Sequence, residues 1–476
     1  MSRPNVLRSI ISLFVLLCMS IPAAGQSILT IPNQQALEAL SIEELTSRIR
    51  RDKFDLVLPQ VMRKYNVDMW IQVMRHGNPD PIAAKLGSDS GVFIFTDRGG
   101  DRIERAVLGD TTQFGSAGFG GGQTLRESGV YDFVAEEFSR TEMPGGAPTE
   151  LTRRYKGVGE YVAEHDPRRI AVNFLDKLGP PVVYEVPRIR SEGMWHTDYK
   201  LLLEALGDKY AERVVSAEYL IVDFFATGVP SEIVMFKKIR EWIDDVFDSD
   251  GNNIVPGETK FSEVETADSG WKPGGNRIND YDYVLRGGEL IKIEDGKQSG
   301  FPDRRWEFGG FFDVVWAYAY VLREGEKQPP PEINRAWADA LKVRKILEDN
   351  IKVGPTAGET YELIKRKLDE AGFIHVDRQR IDNDLDPEKT QVSIDLHAGS
   401  GINAPRIGPL GPDWQREVKI PLYHHFFFEY FVFIPMPEWG EGKYLNVAFH
   451  DGVVVTERGI EYFYPPPTQI RLIGNK

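Results

Sequence analysis

Cysteine is nearly missing from this sequence. The single one, Cys18, lies in an apolar run near the start, within a segment expected to be removed, so the mature chain has no disulfide and no thiolate to act as nucleophile or metal ligand. Positive charge is in deficit too: 57 Lys and Arg face 72 Asp and Glu, for a formal net charge of -15 and a pI near 5.2. That balance disfavours a dominant attraction to nucleic acid or an anionic membrane. The densest basic groups are Arg153, Arg154 and Lys156, and Lys237, Lys238 and Arg240; both read as solvated helix faces before they read as phosphate tracks. No Gly-Xaa-Ser-Xaa-Gly elbow offers a serine mechanism, and no complete glycine fingerprint marks a dinucleotide site. The glycine-rich loop from Gly115 to Gly122 lacks the Lys-Ser/Thr ending of a phosphate cradle. Internal repeats and coiled-coil heptads are also lacking.

What is present suffices for two or three domains: 476 residues, 41% of them hydrophobic. Arg3 and Arg8 precede the apolar run from Ile10 to Met19, and Ala23-Ala24-Gly25 follows. This is the pattern of an export signal, cut after Gly25, and it predicts a periplasmic or secreted protein with no membrane segment once residues 1–25 are removed.

Residues 36–68 read as two amphipathic helices, the second from Arg48 to Tyr65. Strands follow at 69–74, 91–96 and 105–109. Helical patterns at 155–165 and 197–206 alternate with strand patterns at 169–174 and 182–186, which makes an α/β amino-terminal domain over residues 36–215. Ser231 reads as the cap of a long helix containing Ile233, Phe236, Ile239 and Trp242. Helices are expected at 332–351, led by the turn Pro329-Pro330-Pro331, and at 360–371. A short strand is expected within 287–296, entered through glycines and left through a turn, and further strands at 422–434, 443–449 and 453–457. Residues 216–473 therefore read as an α+β domain.

Several segments, in order, carry a family likeness: RRDKFDLVLPQVMRKYNVDMWI, PSEIVMFKKI, GGELIKIEDG, AYVLREGE, APRIG, PLYHHFFFEYFVFIPMPEWG and VVVTERGIEYF. Together they resemble the creatinase, prolidase and aminopeptidase P superfamily of pita-bread metallopeptidases, and more closely exported bacterial Xaa-Pro aminopeptidase-like proteins. The resemblance implies an α+β pita-bread carboxyl-terminal domain behind a creatinase-like α/β amino-terminal domain, a homodimer, and a peptide substrate with proline at its second position. It also implies two divalent metals (Mn, Co, Zn or Fe) held by Asp, Asp, His, Glu and Glu, which turn a bound water into a nucleophile.

Placed residue by residue, the implied metal ligands are Glu294, Asp313, His397, Glu429 and His450, with Asp295 as the alternative first ligand. Glu429 and Asn403 take the catalytic positions. The family pattern is altered at several of these points. Glu294 stands where Asp is usual, and its extra methylene moves the carboxylate by roughly 1.5 Å. Lys292 brings a cation beside that position. Asn403 stands in the region of a missing histidine, and it can donate a hydrogen bond but cannot titrate. His450 stands for a Glu, and imidazole cannot bridge two metals as a carboxylate does. Three readings follow: an altered metallohydrolase, a non-catalytic binding descendant that needs no metal, and a hydrolase of a small carbon-nitrogen substrate.

Overall fold

A computed structural model describes residues 31, 33–74, 80, 82–100, 102–111, 122–136, 154–178, 193–264, 267–295, 315–377, 386–398 and 404–474. Expected strands at residues 182–186, and Asp313 and Asn403, lie outside the described residues.

Three sheets organise the described residues. The first has the order β4-β3-β2-β1-β5-β6: β1 (Met69–Val73), β2 (Val92–Asp97), β3 (Ile103–Leu108), β4 (Phe133–Val134), β5 (Ile170–Val172) and β6 (Val214–Ser216). Its strands read as continuous apolar runs because both faces are covered. One face packs on helices Val158–His165 and His196–Leu206; the other packs on the helical run from Ile42 to Lys64. That run starts at Ser41, whose hydroxyl accepts from the Glu44 N–H while Glu44 accepts from the Ser41 N–H, a capping box. The expected helix from Arg48 is thus the later part of one longer run, which includes a π turn at Lys53–Val57.

The second sheet, β15-β9-β8-β7, comprises β7 (Ala267–Trp271), β8 (Leu290–Asp295), β9 (Val315–Val321) and β15 (Arg471–Ile473). The third, β10-β11-β12-β13-β14, comprises β10 (Ile374–His375), β11 (Gln391–His397), β12 (His425–Pro435), β13 (Tyr444–Thr456) and β14 (Gly459–Tyr462). On β12, Phe426, Phe428, Tyr430, Val432 and Ile434 share one buried cluster with helices Pro331–Asn350 and Ala357–Glu370. The alternate residues His425, Phe427, Glu429, Phe431 and Phe433 then occupy the other face, where Phe431 meets Trp316 of β9. Aromatic residues can line both sides because helices cover one, and on the other Trp316 of β9 meets Phe431 while Phe236 stacks on His425. The strands expected at 443–449 and 453–457 are one strand, since Asp451 and Gly452 keep their ladder pairing with Phe428 and Phe427.

Two helices follow, Glu218–Ala226 and Pro230–Asn252; the first meets the Pro230–Glu241 part of the second at 57°, and both share a buried cluster with strands of the first and second sheets. Among the described residues no single helix is long and apolar enough to cross a membrane. The second helix begins at Pro230, which the first turn tolerates because its N–H would be unpaired there. Ser231 therefore lies inside the helix rather than capping it, and Glu232 accepts from the Val229 N–H instead.

The junction is clamped from both sides. Buried Lys53 donates to the carbonyls of Phe224 and Thr227, and buried Lys85 pairs with Glu232. From the entry to β12, His424 Nδ1–H donates to the Ala226 carbonyl at 2.8 Å. A Cβ on Gly228 would stand 2.1 Å from the Tyr423 carbonyl oxygen, so only glycine fits there.

This packing has a pH signature. Burial pulls His424 from 6.5 down to about 4, against a smaller opposing pull from the Ala226 carbonyl. Burial also draws His425 well below 6.5. The unfolded chain takes up both protons near pH 6.5 and the folded chain does not. Stability is therefore complete above that pH and falls as pH drops toward 4, by roughly 1.4 kcal/mol per unit for each histidine. Urea unfolding at pH 5 and pH 7.5 should show the loss, and His424→Asn should roughly halve the pH dependence.

Candidate metal centre

The register of the third sheet places three side chains together. Strand β12 runs antiparallel to β11 on one side, with Asp395 opposite Glu429 and His397 opposite Phe427. It runs antiparallel to β13 on the other, with Glu429 opposite His450. With side chains alternating along each strand, His397, Glu429 and His450 fall on the same face. One ligand atom from each lies within 4.8 Å of the others, and His397 Nε2 stands 3.1 Å from Glu429 Oε2. His450 is buried, while His397 and Glu429 are partly exposed. The trio thus sits at the edge of the interior, open on the side of its two accessible members.

Neighbouring rings hold His450. Phe427 stacks on it at 5.1 Å with the planes inclined by 23°, and Trp316 of β9 approaches edge-on at 5.2 Å. Phe431 supports Trp316 in turn at 5.5 Å. Two aromatic contacts leave the imidazole little freedom to swing, the rigidity a ligand needs.

Two nearby carboxylates are engaged elsewhere. Asp395 is buried and receives both Arg406 Nε, at 2.7 Å, and Arg406 Nη2. Gly408 lets the chain pass so close that a Cβ there would stand 2.7 Å from Asp395 Oδ1. The APRIG segment therefore contributes a fixed cation and a close turn. Asp451, one residue beyond His450, points to the opposite face by alternation and meets Arg344 Nη2 at 3.3 Å. Sequence reasoning missed the roles of Asp395 and Arg406. The signal available was the two-residue spacing of Asp395 and His397, which puts both on one face of a strand.

Of the residues expected as ligands, the structure brings His397, Glu429 and His450 together. Strand β8 carries Glu294 and Asp295 at positions paired with Trp316 and Val315, and their side chains lie outside what is described. Lys292, two residues earlier on β8, donates to Asp268 at 3.1 Å, and its ammonium lies 3.8 Å from the Trp316 ring centre.

The donor set is chemically coherent. Two imidazole nitrogens and one carboxylate suit Zn, Fe, Co or Mn better than Mg or Ca, which prefer all-oxygen ligands.

Solved structures share this architecture. An X-Pro aminopeptidase from Thermotoga maritima MSB8 superposes at a TM-score of 0.52 with 12% identity, over 87% of this chain and 100% of that one. An Xaa-Pro dipeptidase from Bacillus anthracis gives a TM-score of 0.48 with 13% identity, over 90% of this chain and 100% of that one. The chain thus has the α+β, pita-bread-like fold of that aminopeptidase structure. No protein-family model and no curated protein matches the sequence.

Removing Arg406 should expose the cost of the buried Asp395 carboxylate. Arg406→Met is expected to lower unfolding free energy by roughly 3 kcal/mol, because it removes the charged partner of a buried carboxylate. Adding Asp395→Asn should recover part of that loss in urea titrations.

Proposed function

We propose that this chain is an Xaa-Pro aminopeptidase-like metallohydrolase with an altered site, in which His397, Glu429 and His450 hold a divalent cation. The convergence of those three ligand atoms within 4.8 Å is the observation that carries the reading. A cation there supplies Lewis-acid chemistry, polarising a carbonyl and easing deprotonation of water. The protein's own part is orientation: Phe427 and Trp316 hold the His450 ring, and Arg406 keeps Asp395 from competing with Glu429. Asn403 takes the role of a hydrogen-bond donor to the substrate, and Glu294 and Asp313 complete the ligand set. The substrate class assigned is a peptide with proline at its second position. The protein acts as a homodimer in the exported compartment, with a mature chain beginning at Gln26.

A second reading, a binding protein that has lost turnover, is favoured by one observation: imidazole stands at 450, where a bridging carboxylate is expected. The two readings diverge experimentally. The purified protein, after extensive dialysis, should retain Zn, Fe, Co or Mn by elemental analysis. Glu429→Gln should weaken retention by at least about tenfold, since even outer-shell changes at metal sites cost that much. Hydrolysis of Xaa-Pro dipeptides by the wild-type protein, abolished in Glu429→Gln, supports the hydrolase; retained metal without turnover of these or of small amidino compounds supports the binding protein. An intact mass that starts before Gln26 would refute the assigned processing.

A further inference from the structure

Beside the trio, β12 offers one accessible aromatic ring. Side chains two apart on a strand share a face, so Phe427 and Phe431 flank Glu429 on the side of the centre. The two differ in access. Phe427 is buried and stacked on His450, whereas Phe431 is partly exposed, as Glu429 is. Between His425 and Ile434 every other residue of β12 is buried. The part of this strand that a ligand can reach is therefore a carboxylate followed by a phenyl ring, rooted roughly 7 Å apart.

Neighbouring side chains place that ring. Its ladder partners are Ser393 on β11 and Ala448 on β13, whose short side chains cannot overhang it. Trp316 of β9 approaches it at 5.5 Å with the planes inclined by 61°, and the same indole meets His450 at 5.2 Å. The Lys292 ammonium lies 3.8 Å from the centre of that indole. One buried side chain thus touches both a candidate ligand and Phe431, and close packing keeps their separation constant. A molecule whose polar head binds at the trio brings its next group over Phe431. An apolar group there covers ring surface otherwise left in water, and an aromatic group adds a ring-to-ring contact.

We propose that Phe431, held by Trp316, determines specificity at this centre, which takes substrates whose metal-bound group carries an aromatic or branched apolar side chain on the adjacent carbon. The inference rests on the reading of His397, Glu429 and His450 as metal ligands. Phe431 selects the substrate and takes no part in bond making.

The test uses the full chain, stripped with chelator and reloaded with Zn²⁺. Calorimetry then compares three hydroxamates with one shared metal-binding head: acetohydroxamate, phenylacetohydroxamate and the monohydroxamate of succinic acid. The phenyl compound should bind more tightly than acetohydroxamate by on the order of tenfold. Phe431→Ala should bring the two within about twofold, with zinc uptake and acetohydroxamate affinity unchanged, both of which a merely structural role would disturb. Should Phe431→Ala lose zinc, Phe431→Leu carries the comparison, and it should show a preference reduced several-fold. Equal binding of the two in the wild type, an undiminished preference in the variants, or tightest binding of the succinic compound through the Lys292 charge would overturn the inference and leave the metal reading standing. Zinc uptake with no hydroxamate bound would overturn it as well. No zinc uptake by the wild type would instead overturn the metal reading itself.

Discussion

In the third sheet, backbone hydrogen bonds set Glu429 opposite Asp395 on one side and opposite His450 on the other. The candidate centre depends on that register. A slip of one residue between β12 and β13 would bring Asp451 into line with Glu429 and turn His450 toward the helices. What prevents the slip is the apolar face: Phe426, Phe428, Tyr430, Val432 and Ile434 bury against helices Pro331–Asn350 and Ala357–Glu370. Burial of an aromatic or branched side chain is worth about 2 kcal/mol, so exchanging the faces of an eleven-residue strand is prohibitive. The chemistry of one face is secured by the packing of the other.

The position of that strand within the molecule is set at the helix junction. Lys53 binds two carbonyls at the end of Glu218–Ala226, His424 binds a third, and Gly228 allows the Tyr423 carbonyl to pass. These contacts tie the first sheet to the start of β12, four residues before Glu429. Each polar group there is buried and each contact is specific, the condition under which buried polar groups define a unique arrangement. The price is sensitivity to acid, because His424 and His425 must stay neutral in the folded state.

Among the described residues, the centre brings one carboxylate, Glu429, together with two imidazoles, His397 and His450. Imidazole at 450 contributes a neutral donor, and Arg406 has taken Asp395. Both lower the negative charge that the described residues present there. A shared fold therefore does not carry a shared site.

Much of the framework was legible without coordinates. The aromatic and branched run across 426–434, interrupted only at Glu429, marks a strand, and the two-residue period of a strand puts Glu429 on a different face from Phe428 and Tyr430. The order of segments from RRDKFDLVLPQV to VVVTERGIEYF pointed to the pita-bread fold, and alignment with its ligand positions selected His397, Glu429 and His450. Local errors came where a residue's pairing lies far along the chain. Residues 450–452 fell between two expected strands and are carried through by pairing with Glu429, Phe428 and Phe427; Ser231 looked like a cap and is displaced by Pro230, which fits the first turn better. The partners of charges were wholly a tertiary matter. Asp395 meets a cation 11 residues away, Lys292 an anion 24 residues away, and Lys53 carbonyls 171 and 174 residues away. Periodicity by itself determined which face a side chain takes, because that depends only on backbone geometry. Only the tertiary structure decided which charge neutralises which, because that depends on distances between segments the sequence does not order.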